Sequence, residues 1–337
     1  MTDPVGSPDR ARAQAGVRPV SIESRRVSEV AESVLVDAWN AAYDGYFVPM
    51  RRTAEDLRAH VRVGSIDLRR SIVWLEDDRP VALSLLGVRP AGTPAAAVSS
   101  DADGAAGSRG WVGGFGVAPS HRGRGLAGPL IEEQLVVARS TGVRHVVLEV
   151  LEQNWARRVY ERAGFAITRR LLVLTGTLAP ASPGTPGTPG LPDTPGTPGL
   201  PDGPGTGSAW WAGPGEASRF FAALPGPTGL PPSAWGREAH SVLAAANDVT
   251  HAVGTGPRED PDALVVVREQ PGGWSVLAGG ARTRLAADAV TAALAARWPG
   301  AALRDVNEPE GSVLVEAFGA VGVVPTMAQF EMAVALA

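Results

Sequence analysis

The order of helical and strand patterns along this chain predicts an α/β (α+β) protein built as two globular parts, and three observations lead there. Within the first 178 residues, two helical patterns and a strand meander are followed by strand, helix, strand, helix, strand. A basic, glycine-rich loop joins one of those strands to a helix, and a stretch rich in Pro, Gly and Thr divides the chain near its middle. At 337 residues the chain is long for one domain and comfortable for two, each with its own core.

Taken in order, residues 1–17 are polar with scattered Asp and Arg, read as a disordered N-terminus without the apolar core of a signal peptide. Residues 28–43 and 53–63 carry helical periodicity, the second with Thr53 as N-cap and Glu55 and Asp56 in its first turn. Strands are expected at 71–75 and 81–88 around the polar turn 76–80, and residues 91–110 read as a disordered insertion. Strand 111–117, helix 126–140, strand 143–151, helix 155–163 and strand 165–174 complete the first part. Residues 179–208 contain Thr-Pro-Gly-Thr-Pro-Gly-Leu-Pro-Asp twice in succession, from Thr185 and from Thr194, and read as an extended linker. The domains are therefore 18–178 and 209–337, each expected to fold without the other.

Composition narrows the function classes. A net charge of −4 gives no global attraction to nucleic acid or to an anionic membrane, so neither is an expected partner. Cysteine is absent, which excludes a disulfide framework, a thiolate metal site and a cysteine nucleophile; no metal is expected. No apolar run is long enough to span a bilayer, and a cytoplasmic chain is the default expectation.

The most informative stretch runs over residues 116–127, Gly-Val-Ala-Pro-Ser-His-Arg-Gly-Arg-Gly-Leu-Ala, between an apolar strand and a helix. Gly123 and Gly125 permit positive φ and close backbone approach, so several N–H groups can converge on a phosphate where the helix dipole also favours negative charge. Arg122 and Arg124 add charge to the same loop. The Rossmann and P-loop patterns both fail on their endings. Pro129 is acceptable only in the first helical turn, where its missing N–H costs no bond; deeper in the helix it would cost about 3 kcal/mol.

The spacing Arg122-x-x-Gly125-x-Ala127 after a Val-x-Pro turn resembles the pyrophosphate loop of the GNAT acetyltransferase superfamily. Residues 148–154, Leu-Glu-Val-Leu-Glu-Gln-Asn, followed by 160–165, Tyr-Glu-Arg-Ala-Gly-Phe, resemble that superfamily's second cofactor motif. The resemblance covers residues 20–174. It implies a mixed, mostly antiparallel sheet splayed at the cofactor site, with acetyl-CoA as cosubstrate and no metal. By that resemblance the pantetheine arm would lie along Gly114 to Val117, lined by Phe115, Gly116 and Val117, with a backbone N–H near Val117 polarising the acetyl carbonyl. Gly123, Arg124, Gly125, Leu126 and Ala127, with Arg122, would hold the pyrophosphate, and Asn154 would bond the pantetheine or a nearby backbone, or else cap the following helix. The glycines at 113, 114 and 116 fit close approach by a ligand or mark a bulge.

The same resemblance assigns Tyr160 to protonation of the leaving thiolate, since a phenol with a reference pKa of about 10 keeps its proton at neutral pH; packing is the alternative. Family members commonly set this Tyr seven positions after the Asn, whereas Asn154 to Tyr160 is six, so a tighter turn must absorb the difference. An alkylammonium acceptor must lose a proton first, and Glu149 and Glu152 are the candidate bases. His121 is expected to be a solvated loop residue. Tyr43, Asp44, Tyr46 and Phe47 lie where the acceptor pocket would open, aromatics covering the acceptor and Asp44 pairing its ammonium, or else form a plug between helices.

After residue 208 the sequence predicts short helices at 217–224 and 241–247, strands at 263–268 and 274–277, a helix at 286–298 and a strand at 302–305. Residues 307–332 resemble a faint copy of the block from Asn154 to Phe165, but residues 279–286 lack the Arg-x-x-Gly spacing. The second part therefore reads as a smaller, degenerate GNAT-like α+β domain without a pyrophosphate loop, or an unrelated α+β domain. The functional expectation is a tandem-domain acyltransferase: an acetyl-CoA-dependent N-acetyltransferase acting on a small-molecule amine by direct attack, as a monomer or homodimer. Protein or peptide N-acetylation and a non-catalytic acyl-CoA-binding scaffold are the alternatives.

Overall fold

The computed structural model describes residues 21–90, 107–179, 209–214, 216–220 and 234–336. The expected N-terminal disorder, the insertion at 91–110 for most of its length, and the 179–208 linker apart from residue 179 lie outside the described residues.

The first half runs β1 (Ile22–Arg26), α1 (Glu32–Ala42), α2 (Ala54–Gly64), β2 (Ile72–Glu76), β3 (Arg79–Arg89), β4 (Ser108–Val117), α3 (Ala127–Ser140), β5 (Val143–Leu151), α4 (Arg157–Arg162) and β6 (Ala166–Thr177). Helix α2 starts at a capping box in which Thr53 Oγ1 accepts from the Asp56 N–H and Asp56 accepts from the Thr53 N–H. The β2–β3 hairpin turns on Asp77 and Asp78, both at positive φ (50° and 62°), as a two-residue hairpin that follows the strands' twist requires. Alternation along β2 sends Val73 and Leu75 toward α1 and α2, and Ile72 and Trp74 toward α3. Strand β1, which pairs antiparallel with β2, is an element the sequence pattern did not reveal.

The second half contains β7 (Trp210–Ala212), α5 (Ala217–Phe220), α6 (Ala239–Ala245), β8 (Thr250–Thr255), β9 (Ala263–Gln270), β10 (Gly273–Ala281), α7 (Arg284–Arg297), β11 (Ala302–Pro309), α8 (Val313–Ala320) and β12 (Val323–Ala335). Strands β7 and β8 were not legible; they are short and nearly all buried, and buried strands lose the alternation that marks an amphipathic one. Only Arg282 and Thr283 separate β10 from α7, with Thr283 capping the helix, so no loop of pyrophosphate length exists there.

All the strands among the described residues form one twelve-stranded sheet in the order β1-β2-β3-β4-β5-β12-β6-β11-β10-β9-β8-β7. The last strand, β12, lies antiparallel between β5 and β6, while β6 turns its other edge to β11. The halves thus exchange strands. Leu172, Leu174 and Leu178 bury in the core of the second half with Val265, Leu294 and Phe318, whereas Met332 and Leu336 bury in the first with Ile131, Leu148 and Phe165. This corrects the expectation that each half folds alone: removing either one strips strands and core side chains from the other. A second seam is ionic. Arg89 on β3 is buried against Glu238 (2.5 Å) and stacks on Trp235, whose indole N–H donates to the Gly64 carbonyl.

Candidate active site

The site is built where β4 and β5 part. These strands pair in parallel from Ser108 to Trp111 against Val143 to Val147, and no pairing continues beyond. Gly113 is the extra residue of a bulge, since Leu85 and Leu86 oppose Gly114 and Val112. The other glycines answer to a helix rather than a ligand: a Cβ on Gly114 would meet the Trp39 ring at 2.7 Å, and one on Gly116 the Ala42 carbonyl at 2.9 Å. Their role is to let α1 lie against the strand, which corrects the reading of close approach by a ligand. The Phe115 N–H points away from β3 and donates to Tyr43 Oη (3.2 Å). Val117 shares its parity, while the Ala118 N–H donates to Val81 on β3, so the Val117 N–H faces the gap.

At the end of β4 the glycine-rich loop forms a cradle. Gly123 and Gly125 have φ of 77° and 79°, with open space where a Cβ would stand. The N–H groups of Gly123, Arg124, Gly125, Leu126 and Ala127 have no backbone acceptor among the described residues. Helix α3 begins at Ala127, which leaves Pro129 in its first turn as required. Val117, His121, Gly123, Gly125, Leu126 and Ala127 line a concavity of about 370 Å³ here, with the Arg122 stem. Convergent free N–H groups at a helix N-terminus make an anion site.

Two loop residues depart from expectation. The Arg122 guanidinium is held by the carbonyls of Val117, Ala42 and Asp44, and its N–H by Ala118 and Pro119. It fastens the end of α1 to the loop instead of facing an anion, and the exposed Arg124 has no partner among the described residues. His121 is buried rather than solvated, its ring bonded to Ser120 Oγ (2.8 Å) and Glu76 Oε2 (3.0 Å).

On the α1–α2 side of the gap stands Glu149. One carboxylate oxygen accepts from the Trp111 indole N–H (2.6 Å), and the other is buried without a partner. Burial first, then the nearby Glu331 charge, push its pKa up to about 7, against the bond from Trp111. A carboxyl poised there accepts a proton at neutral pH. Glu152, the other candidate, is an exposed partner of Arg170 (3.1 Å).

On the opposite face Tyr160 packs edge-on to Phe115 (5.4 Å) and Phe165 (5.9 Å). Its hydroxyl has no hydrogen-bond partner among the described residues, and burial holds its pKa well above the usual phenol value. The shorter step from Asn154 begins in tight winding: the N–H groups of Arg157, Arg158 and Val159 each bond the carbonyl three residues back, and the α-helical spacing sets in at Tyr160, whose N–H bonds the Ala156 carbonyl. Asn154 is spent on the protein, its Oδ1 accepting from the Ala156 N–H and its amide donating to Tyr46 Oη (3.4 Å). That corrects its assignment to the cofactor: Asn154 bonds nearby backbone, and the helix that follows has Ala156 as its N-cap, without a side-chain cap.

All three tyrosines of the chain, Tyr43, Tyr46 and Tyr160, therefore gather at this gap. Tyr43 and Tyr46 meet edge-on (5.3 Å), and Asp44 is exposed beside them with its carbonyl on Arg122. Several contributors were missed. Trp111 holds Glu149; His60 on α2 bonds the Gly113 carbonyl (2.8 Å), its pKa lowered to about 4 by burial and then by Arg52. Glu331 on β12 registers opposite Glu149, and Trp235 stacks on Trp111 at 6.0 Å. The last two come from the far end of the chain, where no local pattern points to the site. Among the described residues no cluster of three or more His, Asp or Glu side chains could hold a metal.

A parallel pair that splays beside a glycine-rich loop, within a mixed sheet flanked by helices on both faces, is the architecture of an acetyltransferase fold. The acetyltransferase (GNAT) family model matches residues 36–165, which mark a GNAT domain in the first half of the chain. Similar solved structures extend the fold to nearly the whole chain. A GCN5-related N-acetyltransferase from Sphaerobacter thermophilus is 14% identical with a TM-score of 0.57, covering 93% of this chain and 95% of its own. A tandem GNAT protein from the clavulanic acid biosynthesis pathway is 14% identical with a TM-score of 0.56, covering 94% and 98%. A GCN5-related N-acetyltransferase from Kribbella flavida is 16% identical with a TM-score of 0.56, covering 94% and 71%. No curated protein matches the chain.

Proposed function

We propose that this protein is an acetyl-CoA-dependent N-acetyltransferase that acetylates a small-molecule amine by direct attack, with its chemistry in the first half. The observation that carries the reading is the β4–β5 gap, which runs from an unsatisfied N–H cradle to a point flanked by Glu149 on one face and Tyr160 on the other. Acetyl-CoA supplies the thioester. The N–H groups of residues 123–127 and the Arg124 charge bind its pyrophosphate, and the Val117 N–H polarises the acetyl carbonyl. Glu149, ionised above its raised pKa, takes a proton from the acceptor ammonium so that the neutral amine attacks the carbonyl carbon; Tyr160 gives its proton to the departing sulfur as the C–S bond breaks, and the second proton, which the nitrogen sheds as the amide forms, returns the Tyr160 phenolate to phenol by way of solvent. Trp111 and Glu331 support Glu149, and Tyr43 and Tyr46 cover the acceptor.

The test is acetyl-CoA turnover, followed as free thiol, against a library of small amines and of peptides. Acceptor-dependent thiol release with small amines supports the reading. Release only with peptides would move the function to protein acetylation, and tight acetyl-CoA binding without release by any acceptor would make the protein a binder.

A further inference from the structure

Arg52, in the segment between α1 and α2, is an unpaired guanidinium on the acceptor side of the gap. Its backbone is fixed by Asn40, whose side-chain oxygen accepts from the Arg52 N–H (2.9 Å) and whose amide donates to the Arg52 carbonyl (3.0 Å). The side chain lies over the Trp39 ring at 5.0 Å, half-buried, with its Nε sequestered and without a partner. No carboxylate pairs with it among the described residues; Asp56, the nearest in charge, is engaged by Thr53. A partly desolvated guanidinium without an acceptor is costly, and proteins leave such groups where a ligand completes them.

The charge lies within reach of the site. It is felt by Tyr43 and by His60, both of which line the acceptor side, and His60 is held neutral in part by it. From Arg52 a chain of packed rings leads to the base: the buried Trp39 meets His60 at 5.0 Å, His60 meets Trp111 at 5.8 Å, and the Trp111 N–H donates to Glu149. One end of this chain of rings holds the proton acceptor and the other the Arg52 charge. We infer that the acceptor is an amine that also bears a carboxylate, set apart from the amine by an apolar or aromatic spacer, with the carboxylate paired to Arg52 and the amine delivered to Glu149. This rests on the acetyltransferase reading above for the amine, but the Arg52–carboxylate pairing is separable from it.

The experiment uses matched probes on the full chain: 4-(aminomethyl)benzoate, 6-aminohexanoate and glycyl-phenylalanine, each beside its carboxamide. The wild type should acetylate the acids with KM at least tenfold below that of the amides. Arg52→Gln should erase the difference while leaving KM for acetyl-CoA within twofold, and Arg52→Lys should restore part of it; a melting temperature on each variant separates this from misfolding. If nothing is acetylated, calorimetry with the CoA-saturated protein reads the acid-over-amide preference directly, so the pairing stands or falls apart from the transferase reading. Equal or absent binding of acids and amides to the wild type, or a preference that survives Arg52→Gln, overturns the inference.

Discussion

Replacing Glu149 by Gln tests the base and the physical reason for its poise together. In the folded chain its carboxyl titrates near 7 instead of the ordinary 4.5, a gap of about 2.5 pH units, equivalent to about 3 kcal/mol. Between those two values the unfolded chain has lost the proton and the folded chain still holds it. Raising the pH therefore costs stability: the penalty is absent below 4.5, grows through the interval, and reaches its full size above 7. Glutamine keeps an acceptor for the Trp111 N–H and carries no charge to bury. Glu149→Gln should accordingly be more stable than the wild type by up to about 3 kcal/mol at pH 8, and by only about 1 kcal/mol at pH 5. Denaturant midpoints followed by circular dichroism at the two pH values measure this. The same variant should lower kcat/KM by roughly 10²-fold or more and remove the rising limb near pH 7 from the pH–rate profile. Parallel stability curves for the two proteins from pH 5 to 8, or an intact limb in the variant, would refute the assignment of a buried, poised carboxyl.

Three further outcomes are expected. Tyr160→Phe should cut kcat by about 10²-fold with acetyl-CoA affinity retained, and because its hydroxyl makes no hydrogen bond among the described residues, stability should hold; joint loss of affinity and stability would assign it to packing. Gly125→Asp meets nothing within 4 Å at its Cβ, and Asp tolerates positive φ better than most residues, so the fold should survive while calorimetric acetyl-CoA binding vanishes; retained affinity would remove the loop from the site. Residues 1–178 expressed alone should aggregate, since losing β12 opens the edge of β5 and strips Met332 and Leu336 from the core, and co-expression with the remainder should rescue them; a compact, acetyl-CoA-binding monomer from 1–178 would contradict the strand exchange.

By itself the sequence determined what depends on local spacing. The cradle was legible because glycines at 123 and 125, a basic residue between them and a helical pattern after them constrain neighbouring backbone directly. Tyr160, Glu149 and the aromatics at 43 and 46 were legible because each lies beside a recognisable turn or strand end. Tertiary structure decided everything that depends on partners distant in the chain. Whether Arg122 faces an anion or the carbonyls of Ala42 and Asp44, and whether Asn154 reaches a ligand or Tyr46, turns on where α1 ends in space. The poise of Glu149 comes from its burial and from Glu331, against the bond from Trp111, and Glu331 arrives on a strand from the other half. Strand pairing is set by edges brought together across the whole chain, and a linker of proline and glycine carries no record of which edges those are; hence two domains were readable in the sequence, and their shared sheet was not.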